Sequence, residues 1–180
     1  MKKKLICETD TVNEADLKDG KFDGSSFIGK FTGKGQIIYE DNSVYQGDIV
    51  NGLHHGKGKM IYKSGTIYEG DWVEGKITGK GKKTYKSGTF YEGDFVDGEL
   101  NGKGKNVNSD GTSFEGEWRD GSLHGKGKAV YEDGDTYEGD FVQGGWEGFG
   151  KKTEPDGTVI EGKWTNGRYI HERIKQPPKK

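Results

Sequence analysis

Residues 68–90 read YEGDWVEGKITGKGKKTYKSGTF, and residues 91–113 repeat the design as YEGDFVDGELNGKGKNVNSDGTS. The opening phrase, aromatic-Glu-Gly-Asp-aromatic, returns every 23 residues without insertion or deletion. Its leading positions are Phe22, Tyr45, Tyr68, Tyr91, Phe114, Tyr137 and Ile160, and a glycine follows two residues after each. A register this strict marks one supersecondary unit per period, a unit that buries its apolar face only by stacking on its neighbours. All of the 33 glycines except Gly20 and Gly145 fall into five columns of the same register. Glycine in fixed columns serves backbone that needs positive φ or close approach, unlike glycine in a linker.

Composition alone argues the other way. With 28% hydrophobic and 32% charged residues among 180, little apolar surface is available to offset chain entropy. The aromatics reach 12% and are periodic, however, and the prolines number only 3. The chain therefore folds, but around a thin core. A net charge of −2 gives no general attraction to nucleic acid. Cys7 is the sole cysteine, which excludes an internal disulfide framework and fits a reducing compartment. The opening MKKKLICETD is too short in apolar residues for a signal-peptide core, and no apolar run is long enough to span a bilayer. The expectation is a cytoplasmic protein.

Within the unit, Tyr68 to Trp72 alternates large, charged, small, charged, large, the period of a strand. Tyr68, Gly70 and Trp72 share one face; Glu69 and Asp71 share the other. Val73 to Gly79 reads as a hairpin loop, Lys80 to Tyr85 as a returning strand, and Lys86-Ser87-Gly88-Thr89 as a turn. The fold class is all-β: an elongated single-layer antiparallel sheet of stacked 23-residue hairpins, about 13 strands and about 60 Å long. Symmetric pairing about the loop sets Asp48 opposite Lys59, Asp71 opposite Lys82, Asp94 opposite Lys105, Glu117 opposite Lys128 and Asp140 opposite Lys151. The same register sets Tyr45 by Tyr62 and Tyr68 by Tyr85. Three segments follow: an N-terminal cap over 1–21, with a Thr11-x-x-Glu14 capping box that predicts a short helix; a repeat domain over 22–169, six full units and a partial seventh; and a basic tail over 170–180.

The stretches YEGDWVEGKITGKGK, YEGDFVDGELNGKGK and FEGEWRDGSLHGKGK resemble MORN repeats, a family whose pattern is Y-x-G-x-W followed by spaced glycines. The resemblance covers 22 to about 169. It implies single-layer sheets that act as scaffolds, dimerise, or dock partner helices and extended peptides, some near membranes and others in cytoskeletal or ciliary assemblies. The enzymes of the family carry the repeats beside a separate catalytic domain.

No chemistry competes with that reading. The Gly-Lys-Gly-Lys strings do not fit the phosphate-loop spacing and recur in strand positions. The histidines, His54, His55, His124 and His171, form no ligand cluster, and the regular acids do not form a tuned carboxylate pair. Neither an enzyme, a metal nor a cofactor is expected. An uncovered aromatic face marks a partner site. The expected docking residues are Tyr45, Tyr68, Trp72, Ile77, Tyr91, Phe95, Leu100, Trp118, Leu123, Tyr137, Phe141 and Trp146, with Ile77, Leu100, Leu123 and Trp146 as apolar loop residues at its rim. The alternative is a peripheral membrane adaptor that binds anionic lipid headgroups through Lys57, Lys59, Lys80, Lys82, Lys103, Lys105, Lys126 and Lys128.

Overall fold

A computed structural model describes residues 31–170 and the backbone of residues 3–7. The strands are β1 (Lys3–Cys7), β2 (Gly33–Tyr39), β3 (Val44–Val50), β4 (Leu53–Ile61), β5 (Ile67–Val73), β6 (Lys76–Thr84) and β7 (Phe90–Val96). They continue as β8 (Glu99–Val107), β9 (Ser113–Arg119), β10 (Ser122–Val130), β11 (Thr136–Val142), β12 (Gly145–Thr153), β13 (Val159–Thr165) and β14 (Arg168–Tyr169). All belong to one antiparallel sheet of 14 strands whose spatial order is the chain order. The expected all-β meander is what forms. β1 comes from the segment read as a cap and pairs with β2, Leu5 opposite Ile37. The helix expected from Thr11 lies outside the described residues, as do the first repeat phrase at Phe22 and the tail from His171 onward.

The hairpin connection is tighter than a seven-residue loop. Glu74 and Gly75 alone turn the chain, both at positive φ, 49° and 81°, the type I′ geometry whose twist suits paired strands. The same turn recurs at Asn51, Asp97, Asp120, Gln143 and Asn166, each followed by glycine. Its glycine amide reaches back to the preceding unit: Gly75 N–H donates to the His54 carbonyl at 2.9 Å, and Gly144 N–H to Leu123 at 2.8 Å. Ile77, Leu100, Leu123 and Trp146 thus lie inside strands, facing Trp72, Phe95, Trp118 and Phe141.

The residues expected to form the rest of the loop make a bulge instead. Gly79, at φ 59°, and Lys80 stand unpaired between Thr78 and Gly81 on the hairpin side, which shifts the register. Lys82 therefore faces Glu69, not Asp71, and Tyr68 faces Lys83, not Tyr85. The equivalent correction applies along the sheet: Lys59 faces Gln46, Lys105 faces Glu92, Lys128 faces Glu115 and Lys151 faces Glu138, while Tyr45 faces Met60. The aspartates freed from those pairings cap the bulge. Asp71 Oδ2 accepts Lys80 N–H at 2.8 Å, and Asp48, Asp94 and Asp140 do the same for Lys57, Lys103 and Phe149.

Glycine faces glycine along the middle of the sheet from Gly35–Gly47 on β2 and β3 to Gly150–Gly162 on β12 and β13. A Cβ at Gly70 would strike the Gly81 backbone, and one at Gly81 would strike the Tyr68 hydroxyl. Along this row the aromatic face folds inward. Tyr39 and His54, from opposite ends of their strands, meet hydroxyl to Nε2 at 2.6 Å, and the Trp146 indole donates to the Tyr131 hydroxyl at 2.7 Å. The resulting core is a stack of rings. Tyr45, Tyr68 and Tyr137 lie over the glycines and donate to the carbonyls of Asp48, Asp71 and Asp140. Trp72, Trp118 and Trp164 donate to the carbonyls of Gly58, Gly104 and Gly150. Each edge-to-face pair, such as Tyr68–Phe95 at 5.5 Å, contributes about 0.5–1.5 kcal/mol beyond burial.

Candidate functional site

The aromatic face splits into a buried floor and a half-buried rim. Of the twelve residues expected to dock a partner, nine are at most 8% exposed: Tyr45, Tyr68, Trp72, Phe95, Leu100, Trp118, Leu123, Tyr137 and Phe141. These side chains are consumed in holding one unit to the next. Ile77, Tyr91 and Trp146 remain half-buried, together with Tyr62, Phe114 and Tyr131 and with Tyr85. All described strands are in one sheet, so no second layer of described residues lies over these rings. Burial pushes the Tyr45, Tyr68 and Tyr137 phenols up to about 12. His54, expected in a loop, is a buried strand residue stacked on Tyr45 at 3.8 Å. It holds the column position of Ile77 and Trp146, a signal readable in the register of the repeat.

The opposite face carries an alternating ladder in which Lys59, Glu69, Lys82, Glu92, Lys105, Glu115, Lys128, Glu138, Lys151 and Glu161 follow one another strand by strand. A second column pairs Lys34–Asp48 at 3.2 Å and Lys126–Asp140 at 2.6 Å. Lys57–Asp71, Lys80–Asp94, Lys59–Glu69, Lys82–Glu92 and Lys105–Glu115 are also within ion-pair distance, and Lys103 faces Glu117. The lysines hold the carboxyls of Asp71, Asp94 and Asp140 below the usual carboxylate range, with hydrogen bonds from Lys57, Lys80 and Lys126 as the main cause. Over the glycine row these columns flank shallow depressions of about 820 and 1190 Å³. The sixth unit breaks the pattern: Phe149, 65% exposed, and Lys163 face each other where other units set lysine against an acid.

A 23-residue hairpin with a glycine row under stacked tyrosines fits one sequence family. The family model described as MORN repeat matches residues 45–67, 68–90, 91–113, 114–136 and 137–159. The chain belongs to the MORN-repeat family. Each matched MORN unit begins at the aromatic of the opening phrase, so the sequence register and the family register coincide. No curated protein matches the chain. Among solved structures it is similar to the TCP domain of SAS-4 from Drosophila melanogaster, in complex with a proline-rich motif of Ana2, at 14% identity and a TM-score of 0.47, over 72% of this chain and 71% of that one. It is also similar to the TCP10 domain of CPAP from Danio rerio, in complex with a STIL peptide, at 14% identity and a TM-score of 0.27, over 73% and 80%. Both scores are below one half, and neither structure informs the reading of this chain.

Where the fifth, sixth and seventh units meet, the two arms of the folded sheet leave a cleft of about 390 Å³ lined by Tyr131, Asp133, Asp135, Gly144, Gly145, Trp146, Asn166 and Gly167. Beside it Lys152 is held by Asp135 at 2.6 Å and Glu154 at 2.9 Å, which raise its pKa. In the sequence Trp146 stands out among these as an apolar rim residue and Gly145 as a glycine outside the repeat columns. Tyr131 and the acids occupy turn positions, and only the folding of the sheet brings them to Trp146. Among the described residues no group of three or more His, Cys, Asp or Glu could hold a metal ion.

Proposed function

We propose that this MORN-repeat chain is a non-enzymatic scaffold that docks a helical or extended segment of a partner protein along the half-buried rim of its aromatic face. The observation that carries the reading is the row Tyr62, Tyr91, Phe114, Tyr131 and Trp146, half-buried against the core of a single-layer sheet, with Tyr85, also half-buried, beside Tyr91. Aromatic rings with one side wet and the other packed are the usual anchors of protein interfaces. The nine buried residues of the expected set support the rim from beneath. Membership of the family supports a cytoskeletal or ciliary setting. The anionic-membrane alternative loses ground because the lysine columns are matched by carboxylates, which cancels the field a lipid surface would feel.

Selection of 12-residue peptides from a displayed random library against the immobilised chain tests the reading. Enriched peptides are expected to bind about tenfold more weakly to Tyr85→Ser and to Phe114→Ser chains that melt cooperatively. Lys82→Gln and Lys105→Gln, on the other face, should bind as the parent does. Undiminished binding to both serine variants overturns the rim as the docking surface.

A further inference from the structure

Two departures from the repeat meet at one place, where the turn that closes the fifth unit reaches the start of β12 in the sixth. They flank Trp146, whose column also holds Phe31, His54, Ile77, Leu100, Leu123 and Tyr169. The first is Gly145, which takes the column position of Leu53, Lys76, Glu99 and Ser122. A Cβ there would meet only the Val142 carbonyl, at 3.5 Å, an ordinary contact, so the backbone does not require glycine. Its effect is to strip a side chain from the mouth of the cleft. The second is Asp135, in a column that holds Ser43, Thr66, Thr89, Thr112 and Thr158 in the other units, while Asp133 shares its column with Asp41, Asp110 and Asp156.

We propose that the cleft bounded by Trp146, Tyr131, Asp133 and Asp135 binds the guanidinium group of an arginine in the docked segment. The walls are aromatic and held in place. Trp146 stacks on Tyr137 with centroids 4.3 Å apart and planes 4° from parallel, and its indole N–H is engaged by Tyr131. What it presents to the cleft is ring surface, which attracts cations. The acids outnumber the base: Asp135 and Glu154 hold the single ammonium of Lys152, and Asp133 adds a further carboxylate to the cleft wall. Asp133 is exposed and accepts one backbone amide, from Asp135 at 3.0 Å, so its carboxylate has room for further donors. A flat, delocalised cation that stacks on rings and forks onto a carboxylate matches this combination better than a compact ammonium. About 390 Å³ also accommodates one such side chain.

The arginine as source rests on the docking reading above; the cleft is tested without a partner. Methylguanidinium is titrated into the full ¹⁵N-labelled chain at constant ionic strength, with N-methylurea as the neutral isostere. The Trp146 indole resonance is assigned through Trp146→Phe. That resonance is expected to shift saturably with methylguanidinium alone, while those of Trp72 and Trp118 stay in place. Two variants restore residues that other units carry and so keep the fold: Asp133→Ser should weaken binding about fivefold, and Gly145→Lys should abolish it. An equal response to N-methylurea, no saturable shift, or parental affinity in both variants overturns the proposal. Methylguanidinium binding by a chain that selects no peptide would sink the docking reading and leave the cleft standing.

Discussion

The units that open at Tyr68 and Tyr91 share the same first four residues, yet they pack differently. In the first, the tyrosine ring lies over the glycine row, is fully buried, and would collide with a Cβ at Gly81. In the second, Leu100 takes that place, with its Cδ2 3.1 Å from a Cβ at Gly104, and Tyr91 swings aside to stand half-buried near Tyr85, 5.9 Å away. The unit at Phe114 follows the second mode through Leu123, and those at Tyr45 and Tyr137 follow the first. One column decides. Leucine, branched at Cγ, reaches across to the glycines; β-branched Ile77 and the planar rings of His54 and Trp146 stay on their own side, and the tyrosine fills the space. Two of the half-buried rings of the proposed rim, Tyr91 and Phe114, therefore stand where leucine displaced them.

Substitutions in the glycine row test the two modes most severely. Gly81→Ala must expel the Tyr68 ring and its hydrogen bond, and about 3 kcal/mol of stability is expected to go with it. Gly104→Ala asks Leu100, the Glu92 carbonyl and Trp118 to give by a few tenths of an ångström each, at about 1 kcal/mol. Equal losses in urea titrations would erase the distinction.

Alkali separates the modes next. A phenol whose folded pKa is about 12 against about 10 in the unfolded chain adds stability that is complete below pH 10. That stability is lost as pH rises towards 12, because only the unfolded state has then given up its proton. Stability is expected to fall across that window. In Tyr45→Phe, Tyr68→Phe and Tyr137→Phe combined, the decline should flatten, read from urea midpoints at successive pH values.

A conversion of one mode into the other sharpens the comparison at smaller cost. Leu100→Ile should bring Tyr91 over Gly104, lowering stability by about 1 kcal/mol or less while raising the Tyr91 pKa in a spectrophotometric titration; an unmoved Tyr91 would show that leucine is not the switch. The smallest effect is at the turns. Glu74 and Gln143 hold positive φ where asparagine is better tolerated, so Glu74→Asn and Gln143→Asn are expected to add about 0.5–1 kcal/mol each, as upward shifts in melting temperature.

Strand identity, the division into an aromatic and a charged face, and the need for glycine were legible because alternation and a fixed period report them directly. Pairing was not. The bulge at Gly79 and Lys80 is announced only by a glycine, and glycine serves hairpin turns, bulges and the central row alike, so a symmetric loop accounted for the same spacing. The acids misled for a related reason: opposite charges faced each other in the assumed register and in the real one, because lysine alternates with acid in both directions. The floor and rim of the docking face could not be told apart from the opening phrase, since Tyr68 and Tyr91 begin the same Tyr-Glu-Gly-Asp. Their difference lies nine residues on, in Ile77 and Leu100.

Because neighbours in the sheet are always neighbours in the chain, no described strand pairs with one distant in strand order. Tension applied to its ends would meet hydrogen bonds one hairpin at a time, like a zip, and each 23-residue unit would release about 80 Å of chain as it opened. A chain folded in this way is expected to lengthen in equal steps under load.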